Sequence, residues 1–183
     1  MILKKLFLLN TLLTFADIFV NCALIMNKII AIFVSLFFAA TAFAQTSITT
    51  PSRDLRLQLR DVQQLGSDVE VTVLLTNLSQ NEVLINLVGG IYQNGMGGSV
   101  AYDNDGNVYE LQRVQVSVGN KNLTDQYSAT SFPAGVPVKC HILVRGVAKE
   151  ATALAKIKLC VLCPELSITN TGACFELNNV SFR

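Results

Sequence analysis

Four cysteines in the second half of the chain carry the most definite chemistry in the sequence: Cys140, Cys160, Cys163 and Cys174. Cys160 and Cys163 form a C-x-x-C pair, which occurs in disulfides, in zinc sites and in redox centres. A four-cysteine zinc site usually has a second C-x-x-C pair, and this chain has none. A redox cysteine usually lies at a helix amino terminus, whereas Cys160 lies in a pattern typical of strands. We therefore expect disulfides, with free thiols and metal or redox chemistry as the alternatives.

The register of the last two predicted strands, residues 155–163 and 174–182, distinguishes between the possible pairings. With Cys160 opposite Cys174, the other cross-strand pairs are chemically compatible: Leu159 with Phe175, Lys158 with Glu176, and Ile157 with Leu177. With Cys163 opposite Cys174, Val161 would face Glu176 and place a charge on the core face, which is costly. We predict a Cys160–Cys174 disulfide. Cys140 and Cys163 both have inward parity, so they could form a second disulfide.

Two aspartates suggest either a calcium loop or a turn. The run DNDG, residues 103–106, resembles part of an EF-hand loop. Aligning its glycine, however, places Ala101 and Gln112 where that loop begins and ends, and neither supplies a carboxylate. We retain Asp103 and Asp105 as candidate calcium ligands and favour the turn.

The turn interpretation predicts a hairpin with Asp105-Gly106 at its tip, because a type I′ turn needs a positive φ at both central residues. The register that follows has these pairs: Asn104 with Asn107, Tyr102 with Tyr109, and Val100 with Leu111. Aromatic and aliphatic pairs of this kind stabilise an antiparallel ribbon.

No arrangement of residues predicts catalysis. His141 is the only histidine, and its outward parity beside Lys139 predicts a solvated surface side chain. No serine lies in a G-x-S-x-G nucleophile pattern. The glycines of residues 95–98 lack the Lys-Ser/Thr of a phosphate-binding loop. We expect no enzymatic activity, no catalytic residues and no cofactor.

The amino terminus has the layout of an export signal. A basic start at Met26-Asn27-Lys28 precedes an apolar run over residues 29–40 and an A-x-A site at residues 42–44. We predict a signal peptide over residues 26–44 and a mature amino terminus at Gln45. Residues 1–25 carry a second apolar run, which we interpret as an extension upstream of the true start, with a retained apolar membrane segment as the alternative.

Composition then limits the partners. Cleavage before Gln45 leaves 139 of the 183 residues, the size of one domain. Three of the 14 basic and one of the 13 acidic side chains precede that site, so 11 basic face 12 acidic groups in the remainder. No basic block stands out, so we expect no nucleic-acid binding and membrane contact only through the apolar amino-terminal segments.

The remaining chain predicts an all-β fold. We interpret residues 45–53 as a flexible leader and residues 54–183 as one domain of about eight short strands. Residues 54–62 and 69–75 alternate between apolar and polar side chains, as half-buried strands do. A parity change near Gln112-Arg113 suggests a bulge, and residues 147–154 suggest one helical turn. Short strands with short connections are typical of an antiparallel β-sandwich.

With these strands laid out, the chain resembles the immunoglobulin-like domains of unknown function common in secreted bacterial proteins. The resemblance lies in VEVTVLLTN (residues 69–77), AYDNDGNVYEL (101–111), FPAGVPVKCHILV (132–144) and the terminal NNVSF. It implies an immunoglobulin-like β-sandwich in the periplasm or outside the cell, and it brings no catalytic residues.

These features predict an exported, non-catalytic binding or structural module of the cell envelope, whose partner is an unidentified protein or envelope component. Two alternatives remain. One is an envelope thiol or metal-handling protein that uses Cys160 and Cys163. The other is a calcium-dependent adhesion module that uses Asp103 and Asp105.

Overall fold

The structure, a computed structural model, describes residues 46–92, 98–169 and 173–182. The predicted upstream segment, the signal peptide, Gln45 and glycines 95 and 97 lie outside these residues. The described chain forms strands and one 3₁₀ turn, Pro164–Leu166. The strands are β1 Ser47–Thr49, β2 Leu55–Leu65, β3 Asp68–Asn77, β4 Val83–Val88, β5 Val100–Asp103, β6 Val108–Tyr109, β7 Val114–Val118, β8 Tyr127–Phe132, β9 Pro137–Val144, β10 Ala153–Leu162 and β11 Cys174–Ser181.

These strands form two antiparallel sheets. The smaller sheet has the order β2-β3-β9-β7, and the larger has the order β1-β11-β10-β4-β8. β5 also pairs with β10 in the larger sheet, and β6 pairs with β5. Alternate side chains of both sheets, such as Val71, Ile142, Ile157 and Phe175, are fully buried and belong to one apolar cluster. The all-β antiparallel sandwich predicted from the alternation is therefore confirmed.

The last hairpin has the predicted register. Cys160 lies opposite Cys174, and the pairs behind it are the three expected from the sequence. Cys160 and Cys174 form a disulfide, so this pairing is confirmed. Cys160 is buried, because its Sγ approaches the Gly98 carbonyl oxygen to 3.7 Å and its N–H donates to the Ser99 hydroxyl.

The second disulfide does not form, and that expectation is wrong. Cys140 and Cys163 are buried free thiols. Cys140 lies on β9 of the smaller sheet, between Val73 and Val118 in the strand register. Cys163 follows β10 of the larger sheet and forms a bridge with Ile168. Inward parity places both thiols in the core, but parity does not determine where along the two sheets they lie.

The first hairpin is shifted by one residue from the predicted register. Tyr102 pairs with Val108, and Ala101 pairs with Tyr109. Within the turn only Gly106 has a positive φ, at 88°, and its N–H donates to the Asp103 carbonyl. This is a three-residue loop with a glycine bulge, not a type I′ turn. The shift buries Tyr109 in the core, whereas Tyr102 stays partly exposed.

Three local expectations are also wrong. The leader is not free, because Ser47–Thr49 pairs with β11 and closes that edge of the larger sheet. No bulge lies at Gln112-Arg113. Instead the chain turns at Leu111, whose φ is 54°, and crosses from β6 in the larger sheet to β7 in the smaller. No helical turn forms over residues 147–154, because a hydrogen-bonded turn leads directly into β10 at Ala153.

Candidate functional site

A bulge on β2 shapes the outer face of the smaller sheet. The register between β2 and β3 shifts between Leu59 and Asp61, so that Asp61 pairs with Thr72 and Arg60 has no partner in the ladder. Bulges re-aim side chains and are common beside functional sites. Here two successive charged side chains, Arg60 and Asp61, line the same cavity. The regular alternation of the sequence gave no signal of this bulge.

A hydrogen-bonded acid–imidazole pair lies at the centre of this face. The Nδ1 of His141 is 2.8 Å from Glu70 Oε1 and 3.4 Å from Thr72 Oγ1. The side chains of His141 and Glu70 are 24% and 26% exposed. His141 therefore points outward, as its parity predicts, but is held and not freely solvated. A carboxylate at Nδ1 orients the ring and directs Nε2 to other partners.

Two cavities meet at this pair. One, of about 530 Å³, is lined by Arg60, Asp61, Gln63, Glu70, Thr72, Lys139 and His141. The other, of about 430 Å³, is lined by Glu70, Ser117, Gly119, Asn120, Lys121, Asn122, Leu123 and His141. We name the surface formed by both sets of residues the Glu70–His141 groove. The sequence alone predicted His141 as a solvated surface residue and did not group it with the others, because the lining residues come from four strands and one loop.

The acidic and basic groups of the groove differ in how they are satisfied. Asp61 accepts a 2.7 Å hydrogen bond from the Gln63 amide, and Glu70 is paired with His141. Lys121 donates to the Ala129 carbonyl. Within residues 46–92, 98–169 and 173–182, the side chains of Arg60 and Lys139 make neither a hydrogen bond nor an ion pair, and both residues are exposed. The groove therefore presents unpartnered positive charge.

Ser117 is the serine that lines the groove. Ser117 lies directly opposite His141 in the β7–β9 register. Its side chain is only 3% exposed, and in the described chain it makes no hydrogen bond to the imidazole. An activated serine needs that hydrogen bond or a close approach to it. What remains is a set of hydrogen-bond donors and acceptors.

The candidate calcium ligands do not converge. Asp103 is buried, and its carboxylate accepts hydrogen bonds from the Asp105 and Asn107 N–H groups, the Asn107 amide and the Tyr109 hydroxyl, at 2.6 to 2.9 Å. Asp105 is exposed, and its carboxylate accepts a hydrogen bond from the neighbouring Asn104 amide. All the lone pairs of Asp103 are thus engaged by the loop that it organises. In the described chain no group of three or more His, Cys, Asp or Glu side chains could hold a metal.

The hydrogen bonds determine how these two buried groups titrate. Burial alone would raise the pKa of Asp103, but the four donors outweigh it and the pKa lies below its usual value. Burial raises the pKa of Tyr109, and the hydrogen bond to the Asp103 carboxylate raises it further. The Tyr109 hydroxyl also accepts the Ala148 N–H, and the Arg113 guanidinium lies 4.5 Å from its ring centroid. Through these contacts Tyr109 joins the Asp103 loop to the Ala148 backbone and to Arg113.

The C-x-x-C pair does not form a dithiol. Cys160 is already bonded to Cys174, so it cannot supply a thiolate to a metal together with Cys163. Burial raises the pKa of Cys140 to about 12 and also raises the pKa of Cys163. Both thiols are therefore protonated and poor ligands at neutral pH.

Two further cavities lie on the outer face of the larger sheet. One, of about 510 Å³, is lined by Thr49, Thr50, Pro51, Lys158, Ala173, Cys174 and Glu176. Its one lysine and one glutamate form an ion pair, since Lys158 lies 3.9 Å from Glu176, and the neighbouring Lys156 also approaches Glu176. A smaller one, of about 190 Å³, is lined by Asn86, Tyr92, Tyr127 and Leu162. Neither presents the unpartnered charge of the Glu70–His141 groove.

Comparison with known proteins gives only distant structural similarity. No protein family matches the chain, and no curated protein matches it. Among solved structures, the apo PCuAC domain of PmoF2 is similar over 75% of this chain and 93% of its own, with 12% identity and a TM-score of 0.40. The N-terminal domain of PorA matches 76% of this chain and 98% of its own at 10% identity and a TM-score of 0.37.

The Salmonella enterica trimeric lipoprotein SadB is similar over 96% of this chain and 86% of its own, with 11% identity and a TM-score of 0.32. Similarities of this size carry no functional assignment. A search of the described residues for a helix long and apolar enough to cross a bilayer finds none.

Proposed function

We propose that the chain is an exported, non-catalytic, immunoglobulin-like binding module of the cell envelope that presents the Glu70–His141 groove to a polar partner. The observation that carries the proposal is the unpartnered pair of cations, Arg60 and Lys139, beside a fixed acid–imidazole pair. Charged groups without intramolecular partners on a rigid sheet face are available for recognition at no cost of breaking existing contacts.

The strand orders support the immunoglobulin-like part of the proposal. A constant-type immunoglobulin domain has one sheet of order A-B-E-D and a second that contains C, F and G. Reading β2, β3, β9 and β7 as A, B, E and D matches the smaller sheet, and β4, β10 and β11 then stand for C, F and G. The edge strand β8 pairs with β4 although it follows β7, which departs from the usual chain order.

Two observations support export. The Cys160–Cys174 disulfide joins the last two strands, and such bonds persist in oxidising compartments outside the cytosol. The sequence of residues 26–44 also has the basic, apolar and A-x-A regions of a signal peptide. Both together support a location in the envelope or outside the cell.

The test is capture of an envelope component by the full chain, expressed with export and immobilised after purification. Three proteins are compared on the same envelope extract: wild type, the double variant Arg60→Gln/Lys139→Gln, and the control Lys149→Gln. Lys149 is an exposed lysine outside the groove. Its variant therefore tests whether losing a positive charge elsewhere on the surface affects binding. We expect one component to bind wild type and control and to be lost from the double variant. A component retained equally by all three, or by none, contradicts the proposal.

A further inference from the structure

We infer that the Glu70–His141 groove binds an acidic glycan, that is, a chain of hydroxyl-rich sugar rings that carry carboxylate or phosphate groups. The inference rests on the proposed function and adds the chemistry of the partner. Three features of the groove support it: its charges, the kinds of polar groups that line it, and its extent.

The charges favour an anion. Three cations, Arg60, Lys121 and Lys139, line the groove against two carboxylates. The carboxylates already have hydrogen-bond partners, Asp61 in the Gln63 amide and Glu70 in His141. Arg60 and Lys139, which line the same cavity, have no such partner in the described chain. A guanidinium can hold a carboxylate or phosphate with two parallel hydrogen bonds, and an ammonium adds a point charge beside it.

The remaining lining favours a glycan over a protein. It supplies amides and hydroxyls that both donate and accept, as sugar hydroxyls require: Gln63, Thr72, Asn120 and Asn122. Among the described residues that line the two cavities, Leu123 is the one apolar side chain, and none is a phenylalanine, tyrosine or tryptophan. Protein interfaces are usually anchored by buried aromatic or apolar side chains in pockets, and this surface has no pocket of that kind.

The extent of the groove favours a chain of several sugars. The two cavities share Glu70 and His141, so they form one continuous surface from β2 across β3 and β9 to the loop after β7. Arg60 lies towards one end and Asn122 towards the other. An elongated polar ligand would contact His141 near its middle.

This central position makes His141 a reporter. Because it is the only histidine of the chain, its imidazole signals in an NMR spectrum need no further assignment. The full exported chain is titrated with a hexamer of galacturonic acid and with an oligosaccharide carrying mannose phosphate. A neutral malto-hexaose and a poly-glutamate peptide are the controls.

We expect at least one acidic glycan to bind and to shift the His141 signals, while the neutral glycan does not bind. Arg60→Gln and Lys139→Gln should each weaken binding roughly tenfold, as expected for the loss of one hydrogen bond to a charged group. Lys149→Gln should bind like wild type.

Three outcomes overturn the inference: neither acidic glycan binds, binding leaves the His141 signals unchanged, or poly-glutamate binds as tightly as the glycan. If the inference fails in any of these ways while envelope capture still depends on Arg60 and Lys139, the proposed function stands and only the partner chemistry is wrong. If capture fails as well, both are wrong.

Discussion

Replacing Asp103 by alanine should destabilise the fold by about 3–5 kcal/mol, a large share of the roughly 5–15 kcal/mol available to a domain. The buried Tyr109 hydroxyl would lose its 2.6 Å acceptor, and a hydrogen bond to a charged group contributes about 1.5–3 kcal/mol. The Asp105 and Asn107 N–H groups would also lose acceptors. These lie near the surface, where water can replace the carboxylate, so each adds only about 1 kcal/mol.

Urea unfolding at neutral pH, followed by circular dichroism, measures the effect. Asp105→Ala is the matched control, because Asp105 lies in the same loop, its exposed carboxylate contacts Asn104, and the substitution keeps the Asp105 N–H that donates to Asp103. The control should change the free energy of unfolding by no more than about 0.5 kcal/mol. Equal losses in the two variants would refute the assignment of Asp103 as the residue that organises the loop.

The pH dependence gives an independent check. The pKa of Asp103 in the folded protein lies below its unfolded value of 3.8. A depressed pKa contributes stability that is present above the unfolded value and is lost as the pH falls through the folded value. Below about pH 4 the free energy of unfolding should therefore fall less steeply in Asp103→Asn than in wild type. Identical slopes would show that Asp103 is not titrating in the way its contacts require.

Two further predictions concern the disulfide and a strained residue. Cys174→Ala should lower stability by about 3 kcal/mol in the chain-entropy model, since the disulfide closes a loop with a sequence separation of 14; a peptide map of the wild type that recovers Cys160 linked to Cys140 would contradict this pairing. Leu111→Gly should raise the melting temperature, because Leu111 is exposed and has a φ of 54°, where a non-glycine residue costs about 1–2 kcal/mol. Leu123→Gly, an exposed leucine without a positive φ, should not raise it.

The last hairpin could be predicted because its side chains allow only one good register. Lys158 opposite Glu176 and Leu159 opposite Phe175 satisfy both faces at once, and a slip of one residue would reverse the faces. Because one face of these strands is buried, the register is determined, and the register determines that Cys160 pairs with Cys174. The smaller sheet was equally clear, since β3 alternates three valines with polar residues from Asp68 to Val73.

The first hairpin shows where local signals are insufficient. Asp105-Gly106 is compatible with either of two turns that differ by one residue. The choice depends on burying the Asp103 carboxylate against Tyr109, whose hydroxyl also contacts the Ala148 backbone 39 residues away. The strand Ser47–Thr49 also depends on tertiary structure. Its sequence has no strand pattern, and it becomes a strand by pairing with the edge of β11.

The groove depends on tertiary structure in a more consequential way. Strands of both sheets show alternating charged residues in the sequence, so their outer faces look equivalent. On the larger sheet Lys156 and Lys158 both lie within 4 Å of Glu176, so each of these lysines has an anionic neighbour. On the smaller sheet Arg60 keeps its outward parity, a bulge brings Asp61 to the same face, and Glu70 pairs with His141, so the Arg60 and Lys139 side chains have no ion-pair partner in the described chain. Pairing across strands, which composition does not reveal, therefore decides which face of this sandwich is free to recognise a ligand.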